Sequence, residues 1–152
     1  MRRFLTFALF AVTGLAIFAG CQKSETTTTK YYMRVDVGSK EVHFGNCFVN
    51  LSYNPLGANN YVLEGVQDSA DFPTVFIGMP TNVTAGVYNI GSSSTPFYAK
   101  YFSDTVTTHV ASSGILVISA TSPAVIGTFS FTCTDGTVLS KAVFVSKPPT
   151  TL

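Results

Sequence analysis

Apolar and polar residues alternate along this chain in short runs. The runs "YYMRVDV", "EVHFGNCFVNLSY", "NYVLEGV", "TVFIGM", "GVYNI", "FYAKYF", "TVTTHV", "GILVISA", "AVIGTFSFTCT" and "TVLSKAVFVS" are apolar throughout or at every second position, and Gly, Pro, Asn, Asp or Ser divides them. A period of two places alternate side chains on opposite faces of a strand. A run about every eleven or twelve residues is the spacing of a sandwich or an antiparallel barrel. After the first apolar segment no stretch is long and periodic enough for a helix, which excludes a βαβ architecture. The pattern predicts an all-β fold, an antiparallel sandwich or partly closed barrel of about 8–10 strands behind an N-terminal signal helix.

The last two runs can be set in register. "TDGT" reads as a hairpin with Asp135 and Gly136 as a two-residue type I′ loop. Thr134 would then pair with Thr137, Phe131 would face Ser140, Phe129 would face Ala142 and Gly127 would face Phe144, so large meets small three times. Phe129, Phe131, Cys133 and Phe144 are expected inside, with Thr128, Ser130 and Thr132 toward water.

The chain opens differently. Arg2 and Arg3 precede an apolar stretch from Phe4 to Phe18 that ends in Ala19 and Gly20, the three-part plan of a secretory signal peptide. The small residues are followed at once by Cys21. This junction resembles the lipobox of bacterial lipoproteins, in which the cysteine carries the lipid and begins the mature chain, although Phe18 stands where Leu, Val or Ile is usual. Two or more acyl chains, at about 0.8 kcal/mol per buried methylene, make a stable anchor. "SETTTTK" has nothing to bury and should be a solvated tether. The expected organisation is a signal peptide over 1–20, lipidated Cys21 and tether over 21–30, one β domain over 31–147 and a tail over 148–152.

The C-terminal half carries "TAGVYNI", "SGILVISA", "VIGTFSFTCTDG" and "LSKAVF" in that order. In this it resembles a group of small Bacteroidota lipoproteins of unknown function, whose G-x-Y, S-G-x-[LV]-x-I, G-T-F-x-F and F-x-V strands follow the same sequence. The likeness implies an all-β domain attached to the cell envelope and implies no chemistry. Gln22, and not Asp, follows Cys21, which resembles the outer-membrane sorting pattern of enterobacterial lipoproteins, so the outer membrane is the expected location.

Charge and composition narrow the partners. The chain has nine basic and eight acidic residues, and loss of Arg2 and Arg3 with the signal would leave seven basic residues against eight acids. No basic stripe exists to follow a phosphate backbone, so no nucleic acid is expected. Nucleophile elbows, metalloprotease helices, phosphate loops and dinucleotide fingerprints are absent. His43 and His109 lie far apart and read as rim residues of strands, the carboxylates are scattered through turns, and "GSSST" and "ASSG" read as loops. No metal, cofactor or catalytic residue is expected.

Cysteines and aromatic residues remain. Beyond Cys21, only Cys47 and Cys133 are present, so a single disulfide is available. Both alternate with inward positions, and a bridge across the core and a pair of buried free thiols both fit. The chain holds thirteen Phe and seven Tyr, and "STPFYAKYF" gathers Phe97, Tyr98, Tyr101 and Phe102 on one strand, where alternation sends them to both faces. Either the strand is covered on both sides or one face is a contact surface for a glycan, lipid or protein.

Three functional classes follow. The leading expectation is a membrane-anchored, non-catalytic envelope lipoprotein presenting its β domain for binding or structure. The second is a lipocalin-like carrier of an apolar ligand, and the third a small hydrolase, such as a glycan hydrolase, with its site assembled from loops. A filled interior favours the first, an empty apolar cavity the second, and converging carboxylates or a Ser within reach of a His the third.

Overall fold

The computed structural model describes residues 30–53, 59–67, 70–92 and 95–149. The expected signal peptide, Cys21 and the expected tether as far as residue 29 lie outside these residues, as do 150–152. Ten strands follow one another: β1 (Tyr32–Val37), β2 (Lys40–Phe44), β3 (Asn46–Tyr53), β4 (Asn59–Gln67), β5 (Ala70–Pro80), β6 (Gly86–Ile90), β7 (Tyr98–Phe102), β8 (Thr108–Ala120), β9 (Val125–Cys133) and β10 (Val138–Ser146). No helix occurs among the described residues.

All ten belong to one antiparallel sheet that curls almost into a barrel. Its strand order is β2-β1-β10-β9-β8-β7-β5-β4-β3, and β6 pairs with β8 off this path. β8 lies against β9 along one edge, while its other edge takes β7 at residues 108–110 and β6 at 114–118. Two features draw the ends of the sheet together. β2 runs into β3 through Gly45 alone, and Lys147, just past β10, exchanges backbone bonds with β3: Val49 N–H donates to the Lys147 carbonyl (3.1 Å) and Lys147 N–H to the Cys47 carbonyl (3.0 Å).

Alternation fills the inside. β9 is buried at every odd residue from Val125 to Cys133 and exposed at every even one. Met33, Phe44, Leu63, Val75, Ile77, Leu116, Leu139 and Phe144, from six strands, are at most 1% exposed. Phe129 stacks on Phe131 at 5.7 Å and tilts against Phe144 at 6.3 Å. Phe129, Phe131, Cys133 and Phe144 point inward as expected, and Thr128, Ser130 and Thr132 face out.

The strand count agrees with the sequence through two departures that cancel. "EVHFGNCFVNLSY" breaks at Gly45 into β2 and β3, because the chain turns a corner there and exchanges one partner strand for another. "TVTTHV" and "GILVISA" instead join into β8. The intervening Ala111-Ser112-Ser113-Gly114 stays extended, with a register shift between Ala111 and Ser113 and the Ser112 hydroxyl bonded to the Thr132 carbonyl (3.0 Å). A bulge bends a strand without ending it.

The last hairpin also corrects its expected register in part. Ala142 faces Phe129 and Phe144 faces Gly127 as expected, but Phe131 faces Leu139 and not Ser140. The loop is one residue longer than a type I′ turn. Gly136 N–H bonds the Cys133 carbonyl (3.1 Å), Cys133 N–H bonds the Thr137 carbonyl (2.8 Å), and Gly136 takes φ 87°, the arrangement of a turn followed by a glycine bulge. A second bulge between Leu139 and Ala142, with Lys141 at φ 50°, removes the one-residue offset. The two irregularities compensate, so the inward set survives.

Candidate functional site

The same alternation that fills the core decides what the outer face of β3, β4, β5 and β7 carries. With Cys47, Leu63, Val75, Ile77 and Tyr101 turned inward, their neighbours in sequence turn outward and meet across the ladder in rows. One row is Phe48, Glu64, Phe76 and Lys100, since Phe48 pairs with Glu64, Glu64 with Phe76 and Phe76 with Lys100. The next is Asn46, Val66, Thr74, Phe102 and Thr108. With Phe72 and Thr105 at its rim, this face forms an open groove of ≈ 560 Å³. Phe76 meets Phe102 edge to face, with centroids 5.1 Å apart.

A carboxylate between two phenyl rings is an unusual cost. Loss of hydration pushes the Glu64 carboxyl above its ordinary range, and a hydrogen bond from Asn50 draws it partly back. The groove therefore pairs apolar ring faces with an acid, an amide and threonine hydroxyls.

The four aromatics of the β7 segment do not form one surface. Tyr101 lies in the core at 7% exposure, and burial raises its phenol above its ordinary range. Phe97 stacks on Tyr88 at 4.4 Å against the edge of the core. Tyr98 lies over Gly78, so close that a Cβ there would stand 2.1 Å from the ring. Phe102 alone of the four lines the groove. Phe48, Phe72, Phe76 and Glu64 complete it from other strands. Sequence reasoning missed them because "TVFIGM" is apolar on both faces; the outward place of Phe48 was readable from the inward pair Cys47 and Val49.

A second cluster stands where the β7–β8 loop meets the β9–β10 hairpin. His109 Nε2 lies 3.3 Å from Ser103 Oγ, and Nδ1 is bonded to Asp135 Oδ2 and lies 3.2 Å from Thr137 Oγ1. The Asp135 carboxyl is held down to about 2, first by the Thr137 N–H on its other oxygen (3.0 Å) and then by His109. The rim reading holds for His43, which is 67% exposed and bonded to Glu41 at 2.5 Å. His109, read from the sequence as a rim residue too, is 15% exposed and paired with Asp135. No group of three candidate metal ligands occurs among the described residues.

Cys47 and Cys133 are both buried and both free, the second of the two arrangements that the sequence leaves open. Cys47 is hydrogen-bonded to Ser146, which faces Val125 at one end of the β9–β10 ladder, whereas Cys133 ends β9 eight residues further on. At about 3.3 Å per residue that is roughly 26 Å of strand, well beyond the ~7 Å between Cα atoms that a disulfide tolerates. Inward facing was read correctly, but position along the barrel axis is not contained in alternation. Burial pushes the Cys47 thiol up to about 12 and that of Cys133 to about 11, so both act as small apolar residues.

No protein family, curated protein or solved structure matches this chain.

Proposed function

We propose that the protein is an envelope lipoprotein, held to the outer membrane by lipid on Cys21, whose β domain binds a glycan along the β3-β4-β5-β7 face. The observation that carries the reading is the pair of outward rows Phe48-Glu64-Phe76-Lys100 and Asn46-Val66-Thr74-Phe102-Thr108. A sugar ring has apolar C–H faces and a rim of hydroxyls. Phenyl groups interleaved with a carboxylate, an amide and threonines suit both, as an apolar site with a few placed polar groups suits a ligand generally. The lipobox-like junction and the tether support the location, as does the resemblance to small Bacteroidota lipoproteins. Carriage of an apolar ligand inside the barrel has less support, because the core side chains described above converge there.

Two experiments separate the parts of this reading. Cells labelled with a fatty-acid analogue should incorporate it into wild type and place the protein in the membrane fraction, while Cys21→Ser should be unlabelled and unanchored. Equal labelling of both would remove the anchor. For the ligand, immobilised neutral oligosaccharides should retain the wild type and lose about tenfold in affinity for Phe76→Ala. Each apolar contact withdrawn from a groove is worth on the order of 1–2 kcal/mol. Unchanged retention by this variant would remove the groove.

A further inference from the structure

Ser103, His109 and Asp135 lie 6 and 26 residues apart in the chain, and the fold brings them into one line of hydrogen bonds. The two ring nitrogens of His109 have different tasks. Nδ1 faces the Asp135 carboxylate, which is ionised at neutral pH, and that fixes the tautomer with its proton on Nδ1. Nε2 is then left as an acceptor, 3.3 Å from the Ser103 hydroxyl. The ring has little freedom to leave this pose, since it stacks on Tyr101 at 5.4 Å and 26°, and Tyr101 is itself in the core. The loop that presents Ser103 is pinned as well. Asp104 Oδ1 accepts from the N–H groups of Val106 (2.8 Å) and Thr107 (2.7 Å), and Ser103 N–H donates to the Thr107 carbonyl (3.3 Å). The Ser103 hydroxyl has two acceptors within reach, Asp104 Oδ2 (3.4 Å) and His109 Nε2 (3.3 Å), and a turn about its own C–O bond passes its proton from the first to the second. Ser103 and Tyr101 also form part of the wall of an open cleft of ≈ 420 Å³, shared with Lys40 and Gln67.

We propose that Ser103 is a nucleophile for acyl transfer from small esters, with His109 as its general base and Asp135 as the positioning residue. The Ser103 oxygen adds to the ester carbonyl while its proton passes to His109 Nε2. Collapse of the tetrahedral adduct breaks the bond to the leaving alkoxide, which takes that proton and departs as the alcohol, and the acyl group remains on Ser103. Water then adds to the acyl carbonyl, again giving its proton to Nε2, and the Ser103 oxygen leaves with that proton as the acid is released. Atoms and charge balance with water as the only co-reactant. Lys40 shares the cleft and is the cation on hand for the charge that builds on the carbonyl oxygen. This site is separate from the glycan groove, and the two readings stand or fall independently.

The test uses the full chain in detergent with two probes, a fluorophosphonate and p-nitrophenyl acetate. Wild type should take up one phosphonyl group, located on Ser103 by peptide mass spectrometry, and release a burst of nitrophenol. Ser103→Ala should do neither, and His109→Gln should label at least about a hundredfold more slowly, the usual range for loss of a general base. Asp135→Asn, at a half-exposed position that the core does not need, should slow labelling at least tenfold and serves if the histidine variant does not fold. Absence of labelling in folded wild type would overturn the proposal. So would labelling that persists in Ser103→Ala, or an unchanged rate in the folded His109 or Asp135 variant.

Discussion

Phe129→Asp is expected to leave the chain unfolded at room temperature, while Ser130→Asp, one residue along, should fold and melt close to wild type. Phe129 is 3% exposed and packs on Phe131 and Phe144. Removing the ring alone costs about 3–5 kcal/mol. The carboxylate that replaces it has no partner in the core, and an unpaired buried charge costs several more. Together these rival the roughly 5–15 kcal/mol that holds an ordinary domain. Ser130 belongs to the exposed set of the same strand, where an Asp costs about 1 kcal/mol at most through its poor strand propensity. Circular dichroism and thermal melts of the two variants decide it. Equal stability would mean that the inward and outward faces of β9 are exchanged.

The second large effect comes from adding a single methyl group. In Gly127→Ala the new Cβ would stand 2.0 Å from the Val117 carbonyl oxygen of β8 and 2.8 Å from Phe144 Cζ. The phenyl ring can tilt; the carbonyl belongs to the neighbouring strand's backbone and cannot move without opening the ladder. Overpacking of this kind costs about 1–3 kcal/mol and sometimes more, and the backbone clash places Gly127→Ala at about 3 kcal/mol. Gly136→Ala is the instructive contrast. Nothing lies within 4 Å of its Cβ, but φ is +87°, so its cost is conformational, about 1–2 kcal/mol. Denaturant midpoints should rank wild type above Gly136→Ala and Gly136→Ala above Gly127→Ala. A Gly127→Ala protein as stable as wild type would contradict the close approach of β8 and β9.

Both effects were partly legible in the sequence. The period of two along "VIGTFSFTC" is strict, so the inward residues of β9 follow from it directly, and the complementarity of Gly127 with Phe144 follows from pairing β9 with β10. The turn was harder. "TDGT" suits either a two-residue loop or a longer one with Gly136 in the bulge, and the choice shifts the register by one; only the second bulge near Lys141 restores it. Strand ends were misread where backbone geometry outweighs composition. Gly45 looked like an interior residue of one long strand but marks a corner, and the serines after Ala111 looked like a loop but continue β8, Ser112 as a bulge and Ser113 paired with Thr132 of β9.

Sites were less legible than strands for a simple reason. Alternation fixes which face a residue takes, but which residues become neighbours depends on the order of strands in the sheet. Phe48, Glu64, Phe76 and Lys100 stand side by side because β3, β4, β5 and β7 are successive in that order. Ser103, His109 and Asp135 meet because β8 lies between β7 and β9. Nothing local to any of these residues announces its partners. The same ignorance of strand order made the Cys47–Cys133 bridge look plausible when facing alone was considered.

The central functional claim is that the β3-β4-β5-β7 face, and no other, receives the ligand. Its most direct test is a titration of the isotopically labelled full chain with neutral oligosaccharides, followed by backbone amide and Phe ring shifts. The account predicts saturable shifts at Phe48, Glu64, Phe76 and Phe102, little change along β9 and β10, and loss of the shifts in Phe76→Ala with its fold intact. Saturable shifts elsewhere on the barrel with this face silent, or no shifts with any oligosaccharide, would contradict it.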